Sequence, residues 1–142
     1  MTATDVRIEC KEDWGCDGKP CQKMTWTTKH LEVALWSDKN RYTIQSRIPE
    51  SNPHPFQFGE NMLDAVCFMI NGFAHRYFDK GQRITVAGGL IFGISKDGFV
   101  SIQQENGDVC IPLDFMVELK SIMDEINFHL FENMYFAECD GE

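Results

Sequence analysis

The first third of the chain alternates between hydrophobic and polar residues with a period of two, which is the pattern of half-buried β-strands. This alternation predicts strands over residues 5–10, 23–36 and 41–48. Between the first two, residues 11–22 contain two glycines and a proline, which favour a loop. The opening of the chain is therefore expected to form three strands around a cysteine-containing loop.

Two later segments carry hydrophobic residues three or four positions apart, which is the spacing of a buried helical face. The first spans residues 60–79, and the second spans residues 114–136, where Asp114 is suited to cap the helix. Asn106-Gly107 is a strong hairpin signal. Together with its flanking sequence it predicts three more strands, over residues 83–95, 99–104 and 108–113. The order βββ-α-βββ-α predicts an α+β fold, with an antiparallel sheet of about six strands and two helices packed on it.

The length and composition place this fold in one ordinary domain, residues 1–142, with 43% hydrophobic and 12% aromatic residues. Such a composition argues against disorder. The sequence has no run of 18 apolar residues and no apolar signal core near Met1, so we expect a cytoplasmic protein that does not associate with membranes. If the chain is encoded by a phage, this would be the host cytoplasm.

The net charge of −9 is concentrated at one end of the sequence. Residues 1–96 hold 12 basic and 11 acidic residues, whereas residues 97–142 hold one basic residue, Lys120, and 11 acidic ones. An acidic segment of this kind opposes direct binding to nucleic acid, which requires clustered Lys and Arg. Because it also contains aromatic residues, we expect a folded acidic element rather than a solvated tail.

The last predicted helix carries the acidic residues in a regular pattern. Asp114, Glu118, Glu125 and Glu132 are separated by 4, 7 and 7 positions and therefore share one face, on which His129 also lies. The face has few basic residues to pair with. It is either an ordinary solvated helix face or a ridge that docks a basic protein, to which it is steered by charge.

Aromatic residues widen the apolar side of the same helix, among them Phe128, Phe131 and Tyr135. They are too numerous for one core-facing stripe. Either they pack against the chain's own sheet, or they form an exposed strip beside the acidic ridge. An exposed strip would bind a partner or a second copy of the chain.

Three cysteines fall within 12 residues, at Cys10, Cys16 and Cys21. Thiolates so spaced are candidate zinc ligands, with His30 or Cys139 as the fourth. The spacing lacks the paired form that is typical of zinc modules, so a Cys16–Cys21 disulfide and unligated thiols are the alternatives. No other cofactor is expected.

No catalytic motif is recognisable: there is no metal-binding His pair, nucleophile elbow, phosphate-binding loop or dinucleotide fingerprint. We therefore expect a small acidic, non-enzymatic protein-binding protein. It would act as an inhibitor or adaptor by docking its last helix on a basic, for example nucleic-acid-binding, protein, and an origin in a phage or mobile element would fit this role. The alternatives are a homodimeric secretion-type chaperone and a zinc-stabilised binding module.

The chaperone alternative comes from a resemblance over about half of the chain. A helix, then Gly89-Leu-Ile-Phe-Gly-Ile, Phe99-Val-Ser-Ile and Ile111-Pro-Leu-Asp, then a final helix resemble the second half of small acidic type III secretion chaperones. The resemblance implies a dimeric α+β binding protein. The helix with which that family begins is replaced here by strands and the cysteine loop, and no site residue is carried over.

Overall fold

The computed structural model describes residues 5–14, 18–37, 41–47, 56–104 and 107–140, and in the last helix it describes side chains as far as His129. Within these ranges the fold is α+β, with two antiparallel sheets and two α-helices. The first sheet has the order β1-β2-β3-β4-β5, with strands Arg7–Trp14, Pro20–Thr27, Leu31–Trp36, Arg41–Ser46 and Phe56–Gly59. The second has the order β6-β7-β8-β9, with strands Arg83–Val86, Leu90–Ile94, Phe99–Gln104 and Gly107–Pro112.

The predicted α+β class is confirmed, but the described residues form nine strands in two sheets rather than about six in one. The three additional strands are β5, which was not predicted, and the two that arise because the predicted strands 23–36 and 83–95 are each divided. The boundaries of β1 and β2 also differ from the prediction. Most of the described part of the predicted loop 11–22 is strand, because Lys11–Trp14 and Pro20–Gln22 continue the β1–β2 pairing. The predicted strand 23–36 is two strands, since the chain turns at Thr28, whose backbone N–H donates to the Leu31 carbonyl over 2.9 Å. β1 is an edge strand exposed along most of its length, so its sequence is polar like a loop.

Helix α1 spans Leu63–Ala74 and helix α2 spans Met116–Asp140. α1 is shorter than predicted because the chain reverses at Arg76, which adopts a left-handed conformation (φ 61°). This closes the helix in a Schellman-type turn, in which the Tyr77 N–H donates to the Gly72 carbonyl over 2.9 Å. Gly72 lies within α1. Its missing side chain makes room for the Phe78 ring, which a Cβ there would meet at 2.5 Å.

The two helices run antiparallel. The Arg76 guanidinium, just after α1, donates to the Leu113 carbonyl (3.0 Å) and to Asp114 (3.1 Å), just before α2. Farther along, the Asn127 amide lies 3.5 Å from the Cys67 thiol. One continuous core joins the helices to the inner faces of both sheets, with Trp26, Phe56, Phe73, Phe92 and Ile122 among its fully buried members. No helix in the described part of the chain has the length and apolarity needed to cross a membrane.

Candidate functional site

Helix α2 exposes apolar side chains on the side that faces away from the core. Val117 is 46% exposed and Phe128 is 63% exposed. They lie eleven residues apart, which is about three helical turns, so they point in the same direction. Ser121 and Asp124 fall between them, and Glu125 borders them on one side. We call these five residues the α2 outer face: Val117, Ser121, Asp124, Glu125 and Phe128.

Acidic groups dominate the charge of the α2 outer face and its border. Asp124 is exposed and accepts a hydrogen bond from Lys120 over 2.7 Å, an (i, i+4) pair on the helix. Glu125 is exposed and forms no ion pair with any residue that the structure describes. Asp114 lies at the start of the helix, where its largely exposed carboxylate is paired with Arg76 at 3.1 Å. The one lysine of the acidic segment is thus already engaged, and Glu125 has no ion-pair partner among the described residues.

Glu118 occupies a different environment from the one expected of a docking residue. Its side chain is only 15% exposed, and its carboxylate accepts hydrogen bonds from the backbone N–H of His30 (3.1 Å) and from the His30 ring (2.9 Å). The His30 ring in turn stacks on Phe115, with centroids 4.1 Å apart. The predicted exposed ridge is therefore corrected at this position. Glu118 fastens the β2–β3 turn to the first turns of α2.

These contacts set the protonation of Glu118. Burial of the carboxylate by itself raises its pKa, but hydrogen bonds from Thr28 and His30 outweigh that effect and hold the pKa of Glu118 below its ordinary value of 4.5. The ionised form is therefore the one that stabilises the fold. This contribution is complete above pH 4.5 and is lost as the pH falls through the lowered pKa.

We expect Glu118→Gln to lower the free energy of unfolding at pH 6 by about 1–3 kcal/mol, because hydrogen bonds to an ionised acceptor are lost. At pH 3 the difference from the wild type should be smaller, since acid protonates the wild-type carboxylate. Urea unfolding of both proteins at the two pH values measures this. Glu125→Gln is the matched control and should differ little from the wild type at either pH, while a Glu118→Gln effect independent of pH would contradict the assignment.

His129, predicted to contact the partner, is directed towards the sheet instead. Its ring meets the buried indole of Trp26 edge-on, with centroids 5.8 Å apart and planes at 71°. His129 thus packs α2 on β2, and its predicted contact with a partner stays a prediction. Glu132, Phe131 and Tyr135 lie on the helical backbone of α2, but their side chains are outside the described part, so their predicted roles stay predictions.

The cysteine site is also corrected. Residues that pair across a sheet share a face, and Cys10 pairs with Met24 whereas Cys21 pairs with Asp13. Because Met24 and Cys21 are three residues apart on one strand, the two thiols project from opposite faces and do not converge on one ion. The Cys10 thiol instead lies 3.5 Å from the Gln22 side chain. His30 is engaged by Glu118, and Cys16 and the Cys139 side chain lie outside the described residues.

No group of three or more candidate metal ligands occurs in the described part of the chain. A groove of about 800 Å³ does lie between the start of β1 and the β2–β3 turn. Its charged lining mixes both signs: Asp5, Glu9 and Glu32 with Arg7, Lys29 and Arg47. This groove offers no single charge preference, in contrast to the α2 outer face.

Comparison with protein-family models, curated proteins and solved structures finds no match for the chain.

Proposed function

We propose that this chain is a non-enzymatic binding protein that docks a basic partner protein on the α2 outer face. The observation that carries the proposal is the exposure of Phe128 and Val117 on the same side of the helix as Glu125, which has no ion-pair partner among the described residues. Exposed aromatic area that is bordered by charge is characteristic of protein-binding surfaces, because the aromatic ring supplies affinity and the charge supplies orientation.

The charge of the surface favours a basic partner. Asp124 and Glu125 lie on it, and because the Lys120 and Asp124 charges offset each other, Glu125 carries the surplus negative charge. A partner segment with an apolar side chain flanked by Lys or Arg would cover Phe128 and pair with these carboxylates. Such a partner is attracted over about a Debye length, roughly 8–10 Å at moderate salt, which speeds the encounter.

The same charge opposes a homodimer formed through α2. A two-fold interface would place Asp124 and Glu125 of one copy against the acidic face of the other, and like charges at an interface are costly. Docking alone is enough for a role as inhibitor or adaptor. A small domain that covers a basic functional surface of its partner inhibits that partner, and one that also binds a further protein acts as an adaptor between the two. An origin in a phage or mobile element would suit an inhibitor of a host nucleic-acid-binding protein.

The proposal predicts that capture of the partner depends on one aromatic and one acidic side chain of α2. In an affinity capture from the source cell, Phe128→Ala and Glu125→Lys should each reduce recovery of the specific partner by about tenfold or more, as expected for interface hot spots. Capture should also weaken as salt is raised, because part of the attraction is electrostatic.

Phe99→Ala is the matched control, since Phe99 is an exposed aromatic residue on β8. It should capture the partner as well as the wild type does. Equal capture by Phe128→Ala, Glu125→Lys and the wild type, with all three folded by circular dichroism, would refute the proposal.

A further inference from the structure

No described strand pairs with the outer edge of β1. β1 is the first strand of the five-stranded sheet, and among the described strands it pairs only with β2. It is eight residues long, and all of them except Asp13 are exposed. Trp14, at its end, is 67% exposed, and Ile8 is 48% exposed. A long edge of this kind is a template for another strand unless its side chains prevent pairing.

The pairing pattern identifies which backbone groups face the open edge. The Ser37 N–H donates to the Gln22 carbonyl, so Gln22 directs its backbone groups towards β3. Hydrogen-bonding direction alternates along an antiparallel strand, so the odd-numbered residues of β2 bond to β1, and their partners are the odd-numbered residues of β1. The N–H and C=O groups of Ile8, Cys10 and Glu12 therefore lie in the plane of the sheet and point away from β2, towards the outer edge of β1.

The charges of β1 are complementary to those of a second β1 in one antiparallel register. With Cys10 opposite Cys10, Arg7 meets Asp13 and Glu9 meets Lys11, and each pair occurs twice because of the two-fold symmetry. The outward-pointing groups of Ile8 and Glu12 also meet each other. If one strand is shifted by two residues relative to the other, like charges face each other. One direction of shift places Lys11 opposite Lys11, and the other places Glu9 opposite Glu9, and both pairs are unfavourable.

We infer that β1 is a homodimerisation edge, at which two copies join their five-stranded sheets into one continuous sheet with Cys10 on the two-fold axis. The same register brings the exposed Trp14 opposite Val6, an apolar neighbour. Residues directly opposite each other share a face of the sheet, so the two-fold axis is normal to the sheet and both α2 helices lie on the same side. The interface leaves the α2 outer face open and presents it twice, which favours bivalent capture.

A charge exchange within β1 tests the register. Glu9→Lys places two lysines opposite each other in both symmetry-related pairs, and Lys11→Glu places two glutamates there. Each single variant should raise the dimer dissociation constant in sedimentation analysis by about tenfold or more. The double variant Glu9→Lys/Lys11→Glu restores opposite charges and should recover most of the affinity. A wild type that is monomeric at every concentration, or a double variant no better than the singles, would overturn the inference.

The position of Cys10 offers a second measurement that does not depend on affinity. Facing residues of a hydrogen-bonded antiparallel pair have Cα atoms about 5.5 Å apart, which lies within the range that a disulfide spans. Diamide takes up two electrons and two protons from two thiols and leaves a disulfide. A variant that retains Cys10 alone should form a covalent dimer on this treatment, and a variant that retains Cys110 alone should not. Equal crosslinking of the two variants would exclude the proposed axis.

Discussion

Replacing Glu118 with lysine is expected to lower the free energy of unfolding by about 3 kcal/mol, because the half-buried carboxylate that accepts two hydrogen bonds from His30 is lost. The new ammonium group would face the His30 backbone N–H, a donor that it has no means of satisfying. Glu125→Lys, on the same helix face seven residues later, should change the stability by no more than about 0.5 kcal/mol because Glu125 is exposed.

Urea unfolding of the two variants, followed by circular dichroism at neutral pH, measures this contrast. Comparison of the two variants distinguishes an effect on stability from an effect on partner binding, since only Glu125→Lys is expected to leave the fold intact while it alters the surface. If both variants lost the same stability, or neither did, the assignment of Glu118 as the tie between the β2–β3 turn and α2 would be wrong.

Trp26→Ala is expected to be more damaging, with a loss of about 3–5 kcal/mol in the free energy of unfolding, as for other large core residues. Trp26 is a fully buried residue of β2, and its ring contacts the ring of His129 on α2. Its indole N–H has no hydrogen-bond partner in the described structure. Trp26→Phe therefore sacrifices packing but no hydrogen bond, and it should cost clearly less than the alanine variant.

Trp14→Ala is the control for this series, because Trp14 is exposed on the edge strand. If the protein is kept dilute enough to be monomeric, this variant should unfold at nearly the wild-type urea concentration. A Trp26→Phe variant as unstable as Trp26→Ala would contradict this account, because it would mean that the six-membered ring recovers none of the packing of the indole.

The sequence predicted the α+β class and both helices because their signals are local. Apolar residues at helical spacing identify α1 and α2, and the hairpin signal at Asn106-Gly107 predicts that β8 and β9 are neighbours, with Gly107 as the first residue of β9. The second half of β1 and the start of β2 were missed, because the exposed edge strand has no buried face there and its sequence is polar. The turn at Thr28 was missed because it uses side-chain and backbone hydrogen bonds rather than glycine or proline.

The helix that carries the candidate docking residues was predicted, but the surroundings of individual residues on it were not. Helical spacing correctly placed Glu118 and Glu125 on one face, but it carries no information about what the rest of the chain brings against that face. His30, considered a zinc ligand, is 88 residues from Glu118 in sequence and meets it only in the folded chain. His129 turned inward for the same reason, since Trp26 fills the space beside it.

The central claim is that a basic partner binds the α2 outer face, and site-specific photocrosslinking tests it most directly. A photoreactive phenylalanine analogue placed at Phe128 should crosslink the partner in the source cell, through a partner segment rich in Lys and Arg. The same analogue at Phe99, equally aromatic but on β8, should not. Crosslinking of equal strength at both positions, or at Phe128 only to an acidic segment, would contradict the account.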